Sequence, residues 1–340
     1  MRFAKNCLIF ASIALGCASL SGAADAPAPI GRLVDLGGFR LHVHCTGQGK
    51  SMVVIENGLG DFSFDWLRVQ TEVADFARVC TYDRAGYAWS DPGPKPRTFA
   101  QINFELRTAL AKLGERGPFV LVGHSYGGPL VRNFAMTYPR DVAGIVLVDA
   151  AFEGQRVGIG DKKTMQLGED ARGRAIPPIR EHISGSDKPV IPVQLSESLA
   201  NNPPQLDSFY KVLPAEDQKL QLWAQVQPNM YDAENSQREW SSEYFAKWLA
   251  SSQTGSLGSL PLLVLTRAEG GHAEGQTDVP ADRLERERME GQAKLVQLSS
   301  NSKQIIVHSG HNMELEAPKE VVAAIRKMVE AVQNCGSIQD

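Results

Sequence analysis

The segment FVLVGHSYGGPLVRNFA, which starts at Phe119, constrains the fold of this chain more than any other. Four apolar residues run into Gly-His-Ser-Tyr-Gly-Gly and then straight into a helical pattern. A plain strand-to-helix turn does not need that much glycine around one serine. The residues Gly123-His124-Ser125-Tyr126-Gly127 match G-x-S-x-G between a strand and a helix, as a nucleophile elbow requires. The serine of such an elbow sits on a sharp, strained turn with its Oγ above the sheet edge. Neighbouring helix and strand crowd the flanking positions, so only small residues fit there. Ser125 is therefore the candidate nucleophile.

The rest of the chain supplies a sheet for that elbow. In GRLVDLGGFRLHVHCTG two alternating runs flank Gly37-Gly38 and read as a β-hairpin. SMVVIENGLG is a short apolar run that ends in a Gly-rich loop. The following FDWLRVQTEVADFA has helical spacing at Trp66, Val69, Val73 and Phe76. RVCTYDRAGYAWSDPGP reads as a strand and a long polar turn. TFAQINFELRTALAKLG is an amphipathic helix with Thr98 as its N-cap and Gly114 at its end. VAGIVLVDA is another buried strand. Strands and helices alternate, and the strands are near-continuous Val, Ile and Leu. This predicts an α/β fold with a mostly parallel sheet covered on both faces.

From Phe152 to about Leu260 the rhythm breaks into helical stretches punctuated by proline. It resumes with LPLLVLTRAEGG and KQIIVHSGHNMELEAP, and PKEVVAAIRKMVEAV closes the fold as an amphipathic helix started by Pro318. The expected organisation is a signal peptide at 1–24, a core from 30–151 and 260–335, and a helical cap inserted at 152–259.

The chain has 340 residues, 43% hydrophobic and 22% charged, with a net charge of -4. No basic run marks a nucleic-acid footprint or a polybasic membrane patch. MRFAKN is basic, CLIFASIALGCASL is apolar but short for a bilayer, and SGAADAPAP is small and flexible. That order is expected of a secretory signal cleaved after Ala23 or Ala24, and hence of a periplasmic or secreted protein. An alternative is a lipoprotein signal with Cys17 as the acylated residue. Without the leader, Cys45, Cys80 and Cys335 remain, an odd number and no disulfide scaffold.

A serine hydroxyl needs a base within hydrogen-bond reach. The last strand offers His308, within the strand pattern and expected to face the interior, and His311, in the loop after Ser309-Gly310. His311 is the candidate base. The remaining histidines, His124 included, have no such placement and form no metal-ligand spacing, so neither a metal nor another cofactor is expected.

The segments ENGLGDFSFDW, YDRAGYAWSDPGP, GHSYGGPLVRNFA and SGHNMELEAP together resemble the α/β-hydrolase superfamily over nearly all of residues 30–332. The resemblance implies an eight-stranded sheet whose second strand is antiparallel, with a cap between the sixth and seventh strands. It implies an oxyanion hole built from the backbone N–H groups of Tyr126 and Leu59. Relatives often carry His-Gly in that loop, where this chain has Asn57-Gly58. In this fold Cys45 and Cys80 lie on neighbouring strands, where they either form a bridge or remain two thiols.

The acid that orients the base is less plain. Many relatives place an aspartate after the seventh strand, but PLLVLT leads here into Arg267-Ala268-Glu269-Gly270-Gly271. Other relatives use an acid after the sixth strand, where GIVLVDAAFEGQ supplies Asp149 and then Glu153. Asp149, at a strand end, is preferred. Glu269 is the alternative, and Asp278 lies farther along. The run from Asp83 to Asp91 reads as architecture for a turn dense in backbone groups. Trp223, Tyr231, Trp240, Tyr244, Phe245 and Trp248 in the insertion either line an acyl pocket or pack the lid onto the body. The function expected is a serine hydrolase of carboxylesterase type acting on a small-molecule ester or related acyl bond. Acyl transfer and carbon–carbon hydrolysis would use the same residues. The reading from another class is a hydrolase-fold binding or receptor protein with little turnover.

Overall fold

The computed structural model describes residues 26–158, 162–168, 192–202, 205–250, 257–268, 270, 275–334 and 337–338. The leader with Cys17, the alternative acid Glu269 and Cys335 lie outside the described residues.

The sheet strands are β1 (Arg32–Asp35), β2 (Arg40–Thr46), β3 (Met52–Glu56), β4 (Arg78–Tyr82), β5 (Phe119–His124), β6 (Val142–Val148), β9 (Leu262–Arg267) and β10 (Ser302–Val307). They form one eight-stranded sheet in the order β1-β2-β4-β3-β5-β6-β9-β10. The hairpin β1–β2 turns through Gly37 and Gly38, whose φ values are +92° and +102°. β2 is antiparallel to both of its neighbours, and every later pairing is parallel. Cys45 faces Cys80 across β2 and β4, and the two are joined in a disulfide with a Cα–Cα distance of 4.1 Å.

Period-two alternation divides the strand residues between two apolar layers. Val54, Leu121, Leu147 and Val264 join one layer, with Leu106 and Leu110 of α2 (Phe99–Lys112) and Val131 and Phe134 of α3 (Gly127–Thr137). Val53, Ile55, Val122, Val148 and Leu265 join the other, with Val69 and Val73 of α1 (Leu67–Val73) and Val321 and Ile325 of α9 (Pro318–Gln333). Both faces being covered is why the strands read as continuous apolar runs. Thr98 caps α2 by accepting from the Gln101 N–H at 3.1 Å, and Gly114 follows the helix at φ +82°. The helical spacing from Trp66 to Phe76 is only partly realised. Trp66 closes a 3₁₀ turn, and Phe76 lies in a turn after α1 whose N–H bonds the Val73 carbonyl at 3.1 Å.

Between β6 and β9 the described residues form a small hairpin, β7 (Arg156–Gly158) with β8 (Thr164–Gln166), and helices α4 (Glu197–Asn201), α5 (Ala215–Ala224) and α6 (Pro228–Ala250). α6 lies against the start of α2. The Tyr244 ring stacks on Phe99 at 4.0 Å and its hydroxyl accepts from the Ala100 N–H at 3.1 Å. Ser236 Oγ accepts from the Arg97 N–H at 3.0 Å. α7 (Ala281–Val296) and the short α8 (Met313–Glu316) flank the last two strands of the sheet in sequence. No helix among the described residues is long and apolar enough to cross a membrane.

Candidate active site

β5 ends at His124 and α3 begins at Gly127, so the chain reverses over two residues. Ser125 takes up that reversal at φ +48°. Its N–H donates to the Val148 carbonyl at 3.1 Å, and its own carbonyl accepts from Gly128 and Ala151 at 3.0 and 2.9 Å. The neighbouring strand β6 and the loop after it thus hold the turn. A Cβ at Gly127 would stand 2.2 Å from the Glu56 carbonyl oxygen, which explains why no larger residue follows Tyr126.

His311 lies in the loop after β10. Its Nε2 is 3.0 Å from Ser125 Oγ, and its Nδ1 is 2.6 Å from Asp149 Oδ2. The loop is pinned on both sides of the ring: the Gly310 N–H donates to Glu316 at 2.6 Å, and the His311 carbonyl accepts from the Met313 N–H at 3.1 Å. His308 departs from the expectation that it faces the interior. It is exposed one residue past β10, because β10 is an edge strand and only partly buried.

Asp149 follows β6 directly, at φ +37°, and is buried. Its N–H bonds the Leu265 carbonyl on β9 at 2.8 Å. Arg267 Nε lies 3.2 Å from one carboxylate oxygen and Arg288 3.6 Å from the other. Burial opposes the charge on Asp149, but His311, Arg267 and Arg288 outweigh it and hold the carboxyl below its usual value. Two other acids weighed in the sequence are engaged elsewhere. Glu153 pairs with Arg132 at 2.6 Å, and Asp278 accepts from the Thr164 hydroxyl at 2.8 Å.

The loop between β3 and the first helix is held from below. Buried Arg84 donates to the Asn57 carbonyl at 2.8 Å and to the Gly58 carbonyl, and pairs with Glu56 at 2.8 Å. Asn57 Nδ2 donates to the Tyr82 carbonyl at 2.7 Å, so asparagine still pins this loop. Leu59 therefore sits on a fixed loop, beside Ser125 in a cleft of about 570 Å³. Tyr126 stands at the N-terminus of α3, where backbone N–H groups have no intrahelical acceptor.

Residues 52–325 match the model of the Alpha/beta hydrolase family. The chain belongs to the alpha/beta hydrolase family. Among curated relatives it is similar to the probable transporter efuK of Hormonema carpetanum, 34% identical over 129 residues, 36% of this chain and 18% of that protein. It is also similar to the uncharacterized protein YbdG of Bacillus subtilis (strain 168), 27% identical over 129 residues, 37% of this chain and 40% of that one. The chain spans less than half of the length of these two relatives. Among solved structures it resembles CarC, a serine hydrolase involved in carbazole degradation, with a TM-score of 0.57 at 16% identity, over 89% of this chain and 99% of that one. That likeness is one of fold.

In this family member the insertion supplies one wall of the cleft, through Phe209, Tyr210, Met230 and Tyr231, with Gln205 and Asp207 at its exposed edge. Of the aromatic residues singled out in the sequence, only Tyr231 lines this cleft among the described residues. Tyr244, Phe245 and Trp248 cluster on Phe99, and Trp223 packs on Trp89. Sequence reasoning missed two further features. Arg267 and Arg288 hold Asp149, and only Arg267, at the end of the strand beside β6, left a readable signal. His124 is buried between Asp61 and the His311 carbonyl, a placement that needs the end of β5 and two distant loops to meet.

Proposed function

We propose that this chain is a serine hydrolase that cleaves an ester or related acyl bond through an acyl-enzyme on Ser125. The observation that carries the reading is the line of two contacts, Ser125 Oγ to His311 Nε2 and His311 Nδ1 to Asp149, built from three separate strand ends. Ser125 Oγ attacks the acyl carbonyl while His311 Nε2 takes its proton. The leaving alcohol or amine then receives that proton. Water, deprotonated by His311, attacks the acyl-enzyme and releases the acid and free Ser125. Asp149 keeps the ring in the required tautomer and stabilises the imidazolium formed at each step. The N–H groups of Tyr126 and Leu59 serve the developing oxyanion, each contributing about 3 kcal/mol.

A binding protein of this fold has no need of an imidazole held between a serine and a carboxylate, so Asp149 at 2.6 Å from His311 favours turnover over the binding-protein reading. The residues 152–259 act as a cap that sets acyl selectivity, supported by the cleft residues they supply. The Cys45–Cys80 disulfide supports action in an oxidising compartment, periplasmic or secreted. Hydrolysis of p-nitrophenyl esters across acyl lengths tests the reading. Ser125→Ala is expected to lose about 10⁴-fold or more in kcat and Asp149→Asn about 10³- to 10⁴-fold. A parent protein no faster than Ser125→Ala on every ester would overturn it.

A further inference from the structure

His124 stands directly before Ser125 and is 1% exposed, yet both of its ring nitrogens are engaged. Nδ1 lies 2.9 Å from Asp61 Oδ2, and Nε2 lies 3.0 Å from the His311 carbonyl oxygen. A carbonyl oxygen only accepts, so Nε2 carries a hydrogen. Asp61 Oδ2 also accepts the Gly58 N–H at 2.9 Å, which a carboxylate does readily. Burial opposes the charge on Asp61, but His124, His311 and Arg84 outweigh it and hold the carboxyl below its usual value. With Asp61 ionised, Nδ1 carries a hydrogen too, and the ring is an imidazolium.

We propose that His124 is a positioning residue, protonated at neutral pH, that fastens the Leu59 loop and the His311 loop to each other beside the nucleophile. The chain of bonds runs from the Gly58 N–H to Asp61, from Asp61 to His124, and from His124 to the His311 carbonyl. β10, which delivers His311, is separated from β5 by β6 and β9, so the two strands make no direct ladder and these bonds are a shorter link between base and nucleophile. The fit is close, since a Cβ at Gly58 would stand 2.2 Å from Asp61 Oδ2 and 2.9 Å from His124 Nδ1.

The groups around the ring favour this charge. Glu314 from α8 approaches Nε2 at 3.8 Å, and its Oε2 is buried without a hydrogen-bond partner. Asp61 also feels the Arg84 charge, Asp65 feels Asp61, Glu314 and Asp83, Tyr210 of the insertion feels all three of Asp65, Asp61 and Glu314, and the Trp66 and His311 rings flank the imidazole at 6.2 and 4.8 Å. Burial works against the imidazolium, but Glu314 and Asp61 outweigh it and push its pKa up to about 10. Asp61 thus meets the ring at Nδ1 and Glu314 approaches it at Nε2.

What is positioned depends on the serine-hydrolase reading, but the protonation of His124 does not, and the experiment separates the two. In ¹⁵N-labelled parent protein, one histidine, identified by its loss in His124→Gln, is expected to keep both ring nitrogens protonated at pH 8 and to titrate near pH 10. An unprotonated ring nitrogen on that residue at pH 8 overturns the proposal. In kinetics, His124→Asn reaches Asp61 but not the His311 loop. It is expected to lose about 100-fold in kcat with KM changed by less than about threefold. His124→Gln, whose amide can still donate toward the His311 carbonyl, is expected to recover about tenfold of that loss. Both variants remaining within about twofold of the parent would also overturn it. A parent no faster than Ser125→Ala would instead overturn the hydrolase reading, while the NMR result would still decide the state of His124.

Discussion

Ser125 and Asp149 both hold positive φ, +48° and +37°, where a side chain other than glycine costs about 1–3 kcal/mol. The strain at Ser125 is borne by its bonds to Val148, Gly128 and Ala151. Ser125→Gly is therefore expected to stabilise the fold by about 1 kcal/mol, read as a raised thermal midpoint, while abolishing ester turnover. An unchanged or lowered midpoint would show that the elbow is not strained. His124 makes a second prediction at this scale. Its pKa is raised in the folded protein, so its stabilisation is complete below about 6.5 and is lost as pH rises through about 10. Urea midpoints measured from pH 7 to pH 10.5 should fall more steeply in the parent than in His124→Gln. Asp149 behaves in the opposite sense. Its lowered pKa gives stability above the usual carboxylate range that is lost as pH falls through the lower folded value.

At the scale of elements, the buried Arg84–Glu56 pair links the end of β3 to the loop after β4 and carries the Asn57 and Gly58 carbonyls. The run from Asp83 to Asp91 is thus architectural, as its composition suggests. Asp83 accepts from the Ser63 N–H at 2.8 Å, and Ser90 accepts from the His42 N–H at 2.9 Å. It also stands one bond from the Leu59 loop. Arg84→Met leaves Glu56 buried with the Tyr82 hydroxyl but without its cation, and should cost about 3–5 kcal/mol in urea unfolding. A loss below about 1 kcal/mol would mean that Glu56 is already neutral in the parent, the direction in which burial pushes it.

At the scale of the whole molecule, two devices tie remote parts together. The disulfide closes a separation of 35 residues and joins the antiparallel end of the sheet to its parallel part. The loop-entropy argument gives it about 3–4 kcal/mol, so unfolding with and without reductant should differ by that order. The insertion is fastened to the body by Tyr244 on Phe99 and by Gln221 on Asp65. Tyr244→Ala removes the stack and the hydroxyl, and should destabilise by about 3 kcal/mol.

The architecture was legible because it rests on local signals. Apolar runs bounded by glycine mark buried strands, and the G-x-S-x-G turn places a serine between one strand and one helix. A histidine after the last strand follows from chain order. The choice among acids was different, since a strand-end position favours Asp149 over Glu269, which lies outside the described residues, but a sequence does not show which carboxylate meets the imidazole. Only the folded chain puts Asp149 at 2.6 Å from His311, turns Glu153 to Arg132 and leaves Asp278 on Thr164. His124 was passed over for the same reason. Its charge depends on Asp61, Glu314 and a carbonyl from a loop three strands away, and distances between such groups are set by packing rather than by spacing along the chain.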